Sequence, residues 1–342
     1  MPDYSMQAAV LHHLGEKLVV ERRPRPVPGR GQALIRVRAA GLCRTDLHLA
    51  TGSAIAPPLP FVLGHEIAGE VVQTGPDVTT RPGDRVLAYY YDGCRRCDWC
   101  AAGSENLCPA PVAKVGFDTD GGLAEYYLAP ARSLVPIAPQ VSFAEAAVLG
   151  CSGTTAVRVV HSVAEVAAGE VVIVIGTGGV GLAIVQVAVA RGATVLAIDP
   201  HGPSRAQAIA YGATTAIDPS ATDPVDAVLA HTGGGCHVVI DTVGNASTPD
   251  QAVRMTRTRG RVVLVGYTGA PATLDIIEVI VRETIIRGSV GATLADAHEV
   301  MALAAAGKLR GHVQAEYPLH QVNEALASLA EGSVVGRLVV TP

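Results

Sequence analysis

The sequence is poor in aromatic residues, 4% of 342 with a single Trp, and poor in charge, with 17% Asp, Glu, Lys and Arg. Scarce charge beside 49% hydrophobic residues and a mean hydropathy of +0.32 excludes a disordered chain, which needs the reverse balance. No face or tail concentrates Lys and Arg. With 26 basic against 31 acidic residues and a net charge of −5, a nucleic-acid partner is not expected. The start, Met1 to Val10, carries Asp3 and Gln7 and lacks the basic-then-apolar layout of an export signal. An uninterrupted membrane span is also missing. Val171 to Ala190 is free of charge, but Gly176, Gly178, Gly179 and Gly181 would break a spanning helix at its centre. The expected address is cytoplasmic, with no membrane partner.

Glycine (37) and proline (22) are abundant instead, so many turns and close backbone approaches are expected. The length suits two domains. Residues 1 to about 150 mix short β-like runs (Ala33–Ala39, Glu70–Thr74, Arg85–Tyr91) with Gly and Pro turns, the texture of a mostly antiparallel β domain. From about 152 to 290, the apolar runs Val171–Ile175, Thr194–Ile198, His237–Asp241 and Arg261–Val265 alternate with helical segments. The helix Val180–Arg191 closes on Gly192. Apolar strands alternating with helices predict a doubly wound parallel sheet. Helices over Ala295–Ala306 and Val322–Ala330 and a strand over Gly336–Val340 end the chain and are expected to return to the first domain.

Gly176-x-Gly178-Gly179-x-Gly181 follows a predicted strand and opens a helix, and Asp199 ends the next strand. In that context the glycines mark a dinucleotide site. Gly176 permits the tight turn, Gly178 admits the pyrophosphate, and Gly181 lets helix and strand pack closely. A carboxylate at Asp199 accepts bonds from the adenosine ribose hydroxyls and repels a 2′-phosphate, so NAD is expected over NADP.

The seven cysteines, an odd number, suit a reducing compartment. Cys94-x-x-Cys97-x-x-Cys100-x7-Cys108 has the spacing of a closed tetrahedral zinc site, with disulfides or an iron–sulfur cluster as competing uses of the same residues. Trp99 and Arg95 inside it read as packing and solvent residues. Cys43, His65 and Cys151 are dispersed and each has a plain core reading; together, two thiolates and an imidazole leave a fourth position open, as catalytic zinc requires.

The run Cys43-Arg44-Thr45-Asp46-Leu47-His48, the triplet Gly64-His65-Glu66, the four-cysteine lobe and the glycine turn together resemble the zinc-dependent medium-chain alcohol dehydrogenases over essentially the whole chain. The resemblance implies an α/β protein: a GroES-like, mostly-β catalytic domain over residues 1–151, completed by 291–342, and a doubly wound Rossmann domain over 152–290. The active site would lie in a cleft, and the assembly would be a homodimer or homotetramer. It further implies catalytic zinc on Cys43, His65 and Cys151, with Glu66 near the metal and Asp46 orienting His65. Structural zinc would sit on Cys94, Cys97, Cys100 and Cys108, two ions per chain in all. Thr45 would take the alcohol proton and His48 hand it to solvent. Arg44 and Arg337 would approach the cofactor phosphates, and Thr155, Val180 and Val265 the nicotinamide. Tyr90, Phe117 and Tyr267 would line the substrate pocket. Ser204 stands where the family often carries a Lys or Arg, with Arg205 one position further.

The implied reaction is reversible transfer of hydride between a primary or secondary alcohol and NAD. A polyol or amino-alcohol substrate, or carbonyl, alkene or iminium reduction, would be variants of it. A zinc-stabilised NAD-sensing module is the non-enzyme reading, and it has no use for an open three-ligand site.

Overall fold

The structure, a computed structural model, describes residues 5–53, 56–269 and 271–342. Asp3 lies outside the described residues. The chain divides into two compact units. One comprises Met1–Thr154, Ala292–Gly307 and Gly311–Pro342; the other comprises Thr155–Gly291 and Lys308–Arg310. Among the described residues no single helix is long and apolar enough to cross a membrane.

The first unit is built around the strand Gln32–Leu42. Its Ile35 and Val37 are buried while Arg36 and Arg38 face water, the alternation that a half-buried strand needs. Each buried branched side chain of this kind stabilises by roughly 1.5–3 kcal/mol. The sheet runs Leu134–Pro136, Arg85–Ala88, Glu66–Thr74, Gln32–Leu42, Arg337–Thr341, Val313–Pro318, and Tyr126–Pro130 also pairs with the central strand. The C-terminal strand Arg337–Thr341 pairs antiparallel with the centre of this sheet and parallel with Val313–Pro318.

Register at one end of this sheet positions the chemistry. Gly41 lies opposite Glu66 on one side, and Leu42 lies opposite Leu338 on the other. Cys43, His65, Glu66 and Arg337 therefore fall at the same sheet end although the sequence separates them widely. The approach is close: a Cβ at position 41 would stand 2.1 Å from a Glu66 carboxylate oxygen and 3.0 Å from the Glu66 Cβ, so Glu66 would have to move.

One expected strand is interrupted. Arg85–Tyr91 ends at Ala88 and resumes as Tyr91–Asp92 in a separate two-stranded sheet with Ala113–Lys114. At the break, Tyr89 N–H donates to Ser133 and the Tyr89 hydroxyl donates to the Ala292 carbonyl at 2.6 Å. This turns Tyr90 toward His65.

The second unit is a six-stranded parallel sheet. Its order is Thr215–Ile217, Thr194–Ile198, Val171–Ile175, Cys236–Asp241, Thr256–Leu264, Ile285–Gly288. Strands covered on both faces carry continuous apolar runs, and Ile173, Leu196, Val239 and Val262 pack into one core with Val253 and Met255. Cys236 belongs to that core. Burial pushes its thiol up to about 12, and its sulfur lies within hydrogen-bonding distance of the Val238 and Met255 carbonyls. The helix Gly179–Ala190 is buried from Gly181 to Ala188, which accounts for its apolar composition as a core helix.

Candidate active site

Cys43, His65, Glu66 and Cys151 present ligand atoms that all lie within 4.8 Å of one another. Cys43 caps the helix Arg44–Thr51, its N–H donating to Asp46 Oδ2 at 2.8 Å. The other Asp46 oxygen stands 3.6 Å from His65 Nδ1, so one buried carboxylate fixes both the helix start and the imidazole. Cys151 follows the helix Phe143–Leu149, whose buried face packs on the central sheet strands. Arg337 donates to Glu66 Oε1 at 3.2 Å and to Cys43 Sγ at 3.6 Å.

The electrostatics suit a cation. His65 Nε2 and Glu66 Oε2 are buried without a hydrogen-bond partner, whereas His65 Nδ1 and Asp46 Oδ1 face each other. Orphaned polar atoms in a buried group normally signal a missing partner. The Cys151 contact, followed by Arg337 and His65, holds Cys43 well below the ordinary thiol range against the opposing effect of burial. Cys151 is pushed up by its contact with Cys43 and by burial. Burial disfavours charge on His65, but Asp46 and Cys43 beside it outweigh that and raise its pKa. Burial also lifts Glu66 to about 7 despite Arg337. Two thiols, an imidazole and a carboxylate around orphaned lone pairs fit zinc.

The neighbours expected from the sequence fall as follows. Thr45 Oγ1 lies 3.6 Å from Cys43 Sγ. His48 Nδ1 lies 3.1 Å from Ser53 Oγ, a partner that the motif alone did not suggest. Tyr90 and Phe117 flank His65, with ring centroids at 5.6 and 5.1 Å. Arg44 is exposed at the first turn of its helix. Arg337, expected near the cofactor phosphates, is buried against Glu66 and Cys43. The sequence signal for this was a lone charge at the head of the apolar strand Leu338-Val339-Val340. Thr155, Val180, Val265 and Tyr267 belong to the second unit, where Tyr267 is 55% exposed.

Cys94, Cys97, Cys100 and Cys108 likewise lie within 4.8 Å of one another, and all seven cysteines are free thiols. The backbone N–H of Arg96 draws Cys94 down to about 6, with further help from Cys108 and Cys97. Amide donors turned toward a sulfur stabilise the thiolate form that binds metal. Trp99 within the lobe is exposed.

In the second unit Gly176 has φ +84°, and a Cβ on Gly181 would stand 1.9 Å from the Gly176 carbonyl. A Cβ on Gly178 would meet nothing within 4 Å, which leaves open space above the turn, as a phosphate cradle requires. Asp199 stands beside it, accepting from Thr177 N–H at 2.7 Å and from His201 N–H at 2.8 Å. The Thr242 hydroxyl donates to the Ile175 and Gly176 carbonyls, both at 2.9 Å, and so braces the turn. Sequence reasoning passed over Thr242, whose only signal is a hydroxyl directly after a strand.

Residues 29–139 match the model of the alcohol dehydrogenase GroES-like domain, and residues 179–306 match that of zinc-binding dehydrogenases. An alcohol dehydrogenase of Moraxella sp. (strain TAE123) is 35% identical over 98% of this chain and 99% of its own length. A D-arabinose 1-dehydrogenase (NADP(+)) of Saccharolobus solfataricus is 32% identical over 98% of this chain and 97% of its own. A solved NAD-dependent alcohol dehydrogenase superposes with a TM-score of 0.93 at 32% identity, covering 98% of this chain and 100% of that one. Likeness of this extent over nearly the full length, together with the ligand groups and the glycine turn, leads to one conclusion: the chain belongs to the zinc-dependent medium-chain alcohol dehydrogenase family.

Proposed function

We propose that this protein oxidises a primary or secondary alcohol to an aldehyde or ketone, reversibly, with NAD as hydride acceptor. The buried group of Cys43, His65, Glu66 and Cys151 carries this reading, because its donor set suits a metal and His65 Nε2 and Glu66 Oε2 lack a hydrogen-bond partner. Cys43, His65 and Cys151 would hold one zinc ion and the four-cysteine lobe a second. Zinc on three protein ligands supplies Lewis acidity that lowers the pKa of an alcohol hydroxyl. Asp46 holds His65 through Nδ1 and leaves Nε2 to act as ligand. Thr45, beside Cys43, accepts the proton released by the alcohol, and His48, steadied by Ser53, passes it to solvent. Tyr90 and Phe117 exclude water from the face of His65 and wall the substrate.

For the cofactor, the amides at the start of helix Gly179–Ala190 take the pyrophosphate, and Asp199 takes the ribose hydroxyls. Arg44, Thr155, Val180 and Val265 complete that site in this reading. The catalytic domain is 1–151 with 291–342, the cofactor domain is 152–290, and the assembly is a homodimer or homotetramer. Named relatives include both NAD- and NADP-linked enzymes, so Asp199 is the residue that favours NAD.

The test is a panel of primary, secondary and aromatic alcohols with NAD⁺ and NADP⁺, read by the absorbance of the reduced cofactor. Wild type should show kcat/KM at least ~10-fold higher with NAD⁺, and Asp199→Gly should lower the NAD⁺ value by about 10–100-fold. A protein carrying two zinc ions and binding NADH, yet oxidising none of these alcohols, would overturn the proposal.

A further inference from the structure

The strands Thr194–Ile198 and Thr215–Ile217 are neighbours with Ile198 opposite Ile217, and each is followed directly by an aspartate. Asp199 and Asp218 thus stand side by side at the carboxyl edge of the parallel sheet, where such sheets bind nucleotides. Over this edge lies Arg205, from the first turn of helix Gly202–Ala210. Its Nη1 donates to the Asp199 and Pro200 carbonyls at 2.7 and 2.8 Å, and its Nη2 stands 2.8 Å from Asp218 Oδ2. The other Asp218 oxygen accepts from Ser220 N–H at 2.9 Å and from Ser220 Oγ at 2.5 Å. Ser220 and then Arg205 hold the Asp218 carboxyl below its usual range, so it is ionised at neutral pH.

A guanidinium is the side chain best shaped to grip a phosphate. This one lies within a helical turn of the ribose carboxylate, yet its fork is taken by a carboxylate and two carbonyls. Two carboxylates beside one guanidinium leave the edge net negative, which repels a 2′-phosphate. Building on the NAD reading above, we propose that Asp218 is a cofactor-specificity residue: by tying Arg205 down it closes a latent 2′-phosphate site that Asp199 alone does not close. Removing Asp199 leaves Arg205 bound to Asp218, and removing Asp218 leaves the Asp199 charge in place. The two aspartates therefore act together, and their removal should be more than additive.

The experiment titrates the full chain with 2′,5′-ADP and with 5′-ADP by calorimetry. It uses the wild type, Asp199→Gly, Asp218→Asn, the double variant, and the double variant with Arg205→Ala. The double variant should bind 2′,5′-ADP at least ~10-fold tighter than the two single effects combined predict, and Arg205→Ala should abolish that gain. Additive single effects, or a gain that survives loss of Arg205, would overturn the role of Asp218. A wild type that prefers 2′,5′-ADP to 5′-ADP would instead sink the NAD reading, a separate result. Should Asp218→Asn fold poorly, Ser220→Ala loosens the same carboxylate and should shift the 2′,5′-ADP to 5′-ADP ratio in the same direction by a smaller factor.

Discussion

Cys94, Cys97, Cys100 and Cys108 meet inside one short loop, whereas Cys43, His65, Glu66 and Cys151 come from three distant stretches of the same unit. The loop group is made by its own chain: its sulfurs are oriented by neighbouring amides, and little core surrounds them. The dispersed group is made by sheet register, and Asp46 and Arg337 bring opposite charges to its His65 and Glu66. A loop without core needs its metal in order to be a loop. A ligand group already held by paired strands does not, and can leave a coordination position for substrate.

That contrast is broken most directly at the dispersed group. Cys43→Ser or His65→Ala should cut turnover by more than about a thousandfold while NADH binding, followed by its fluorescence, persists. Retained activity with unchanged zinc content would remove these residues from the metal. The loop group should respond in the opposite currency. Cys97→Ser or Cys108→Ser should lower Tm by ~10 °C or more and cut soluble yield, with kcat of the surviving protein kept within a few-fold. Stability and zinc content kept while chemistry is lost would reverse the two assignments.

A subtler change sharpens the same contrast. Asp46→Asn keeps an acceptor for the Cys43 N–H but removes the charge facing His65. Zinc affinity, measured by chelator competition, should fall about 10–100-fold for one of the two ions only. The smallest effect is a control in the other unit. Burial raises Glu170, but its 2.6 Å bond from Arg261 and the Ala167 N–H outweigh that and leave its pKa below the ordinary glutamate range. A carboxylate with a depressed folded pKa stabilises at pH above its unfolded value, and the contribution is lost as pH falls through the folded one. Glu170→Gln should therefore cost about 1 kcal/mol at neutral pH, a difference that vanishes in acid, by urea unfolding across pH. Zinc content should not move.

Much of the architecture is written locally. Apolar runs such as Val171–Ile175 and Thr194–Ile198 form their strands where periodicity places them, and the helix Val322–Ala330 spans the expected residues. The glycine turn and the four cysteines are legible for the same reason: turn geometry and thiol spacing depend on residues a few positions apart. The Cys43, His65 and Cys151 set rests on donor chemistry and family resemblance together, since spacing alone says nothing about partners so distant in the chain. Only the tertiary structure decided that Arg85–Tyr91 breaks at Tyr89, because the Ser133 and Ala292 carbonyls that capture this tyrosine lie on other elements. It alone decided that Arg337 serves Glu66 and Cys43, and that Asp218 restrains Arg205. Each of these follows from which strand end lies beside which, and register between strands distant in sequence is set by the packing of the whole sheet.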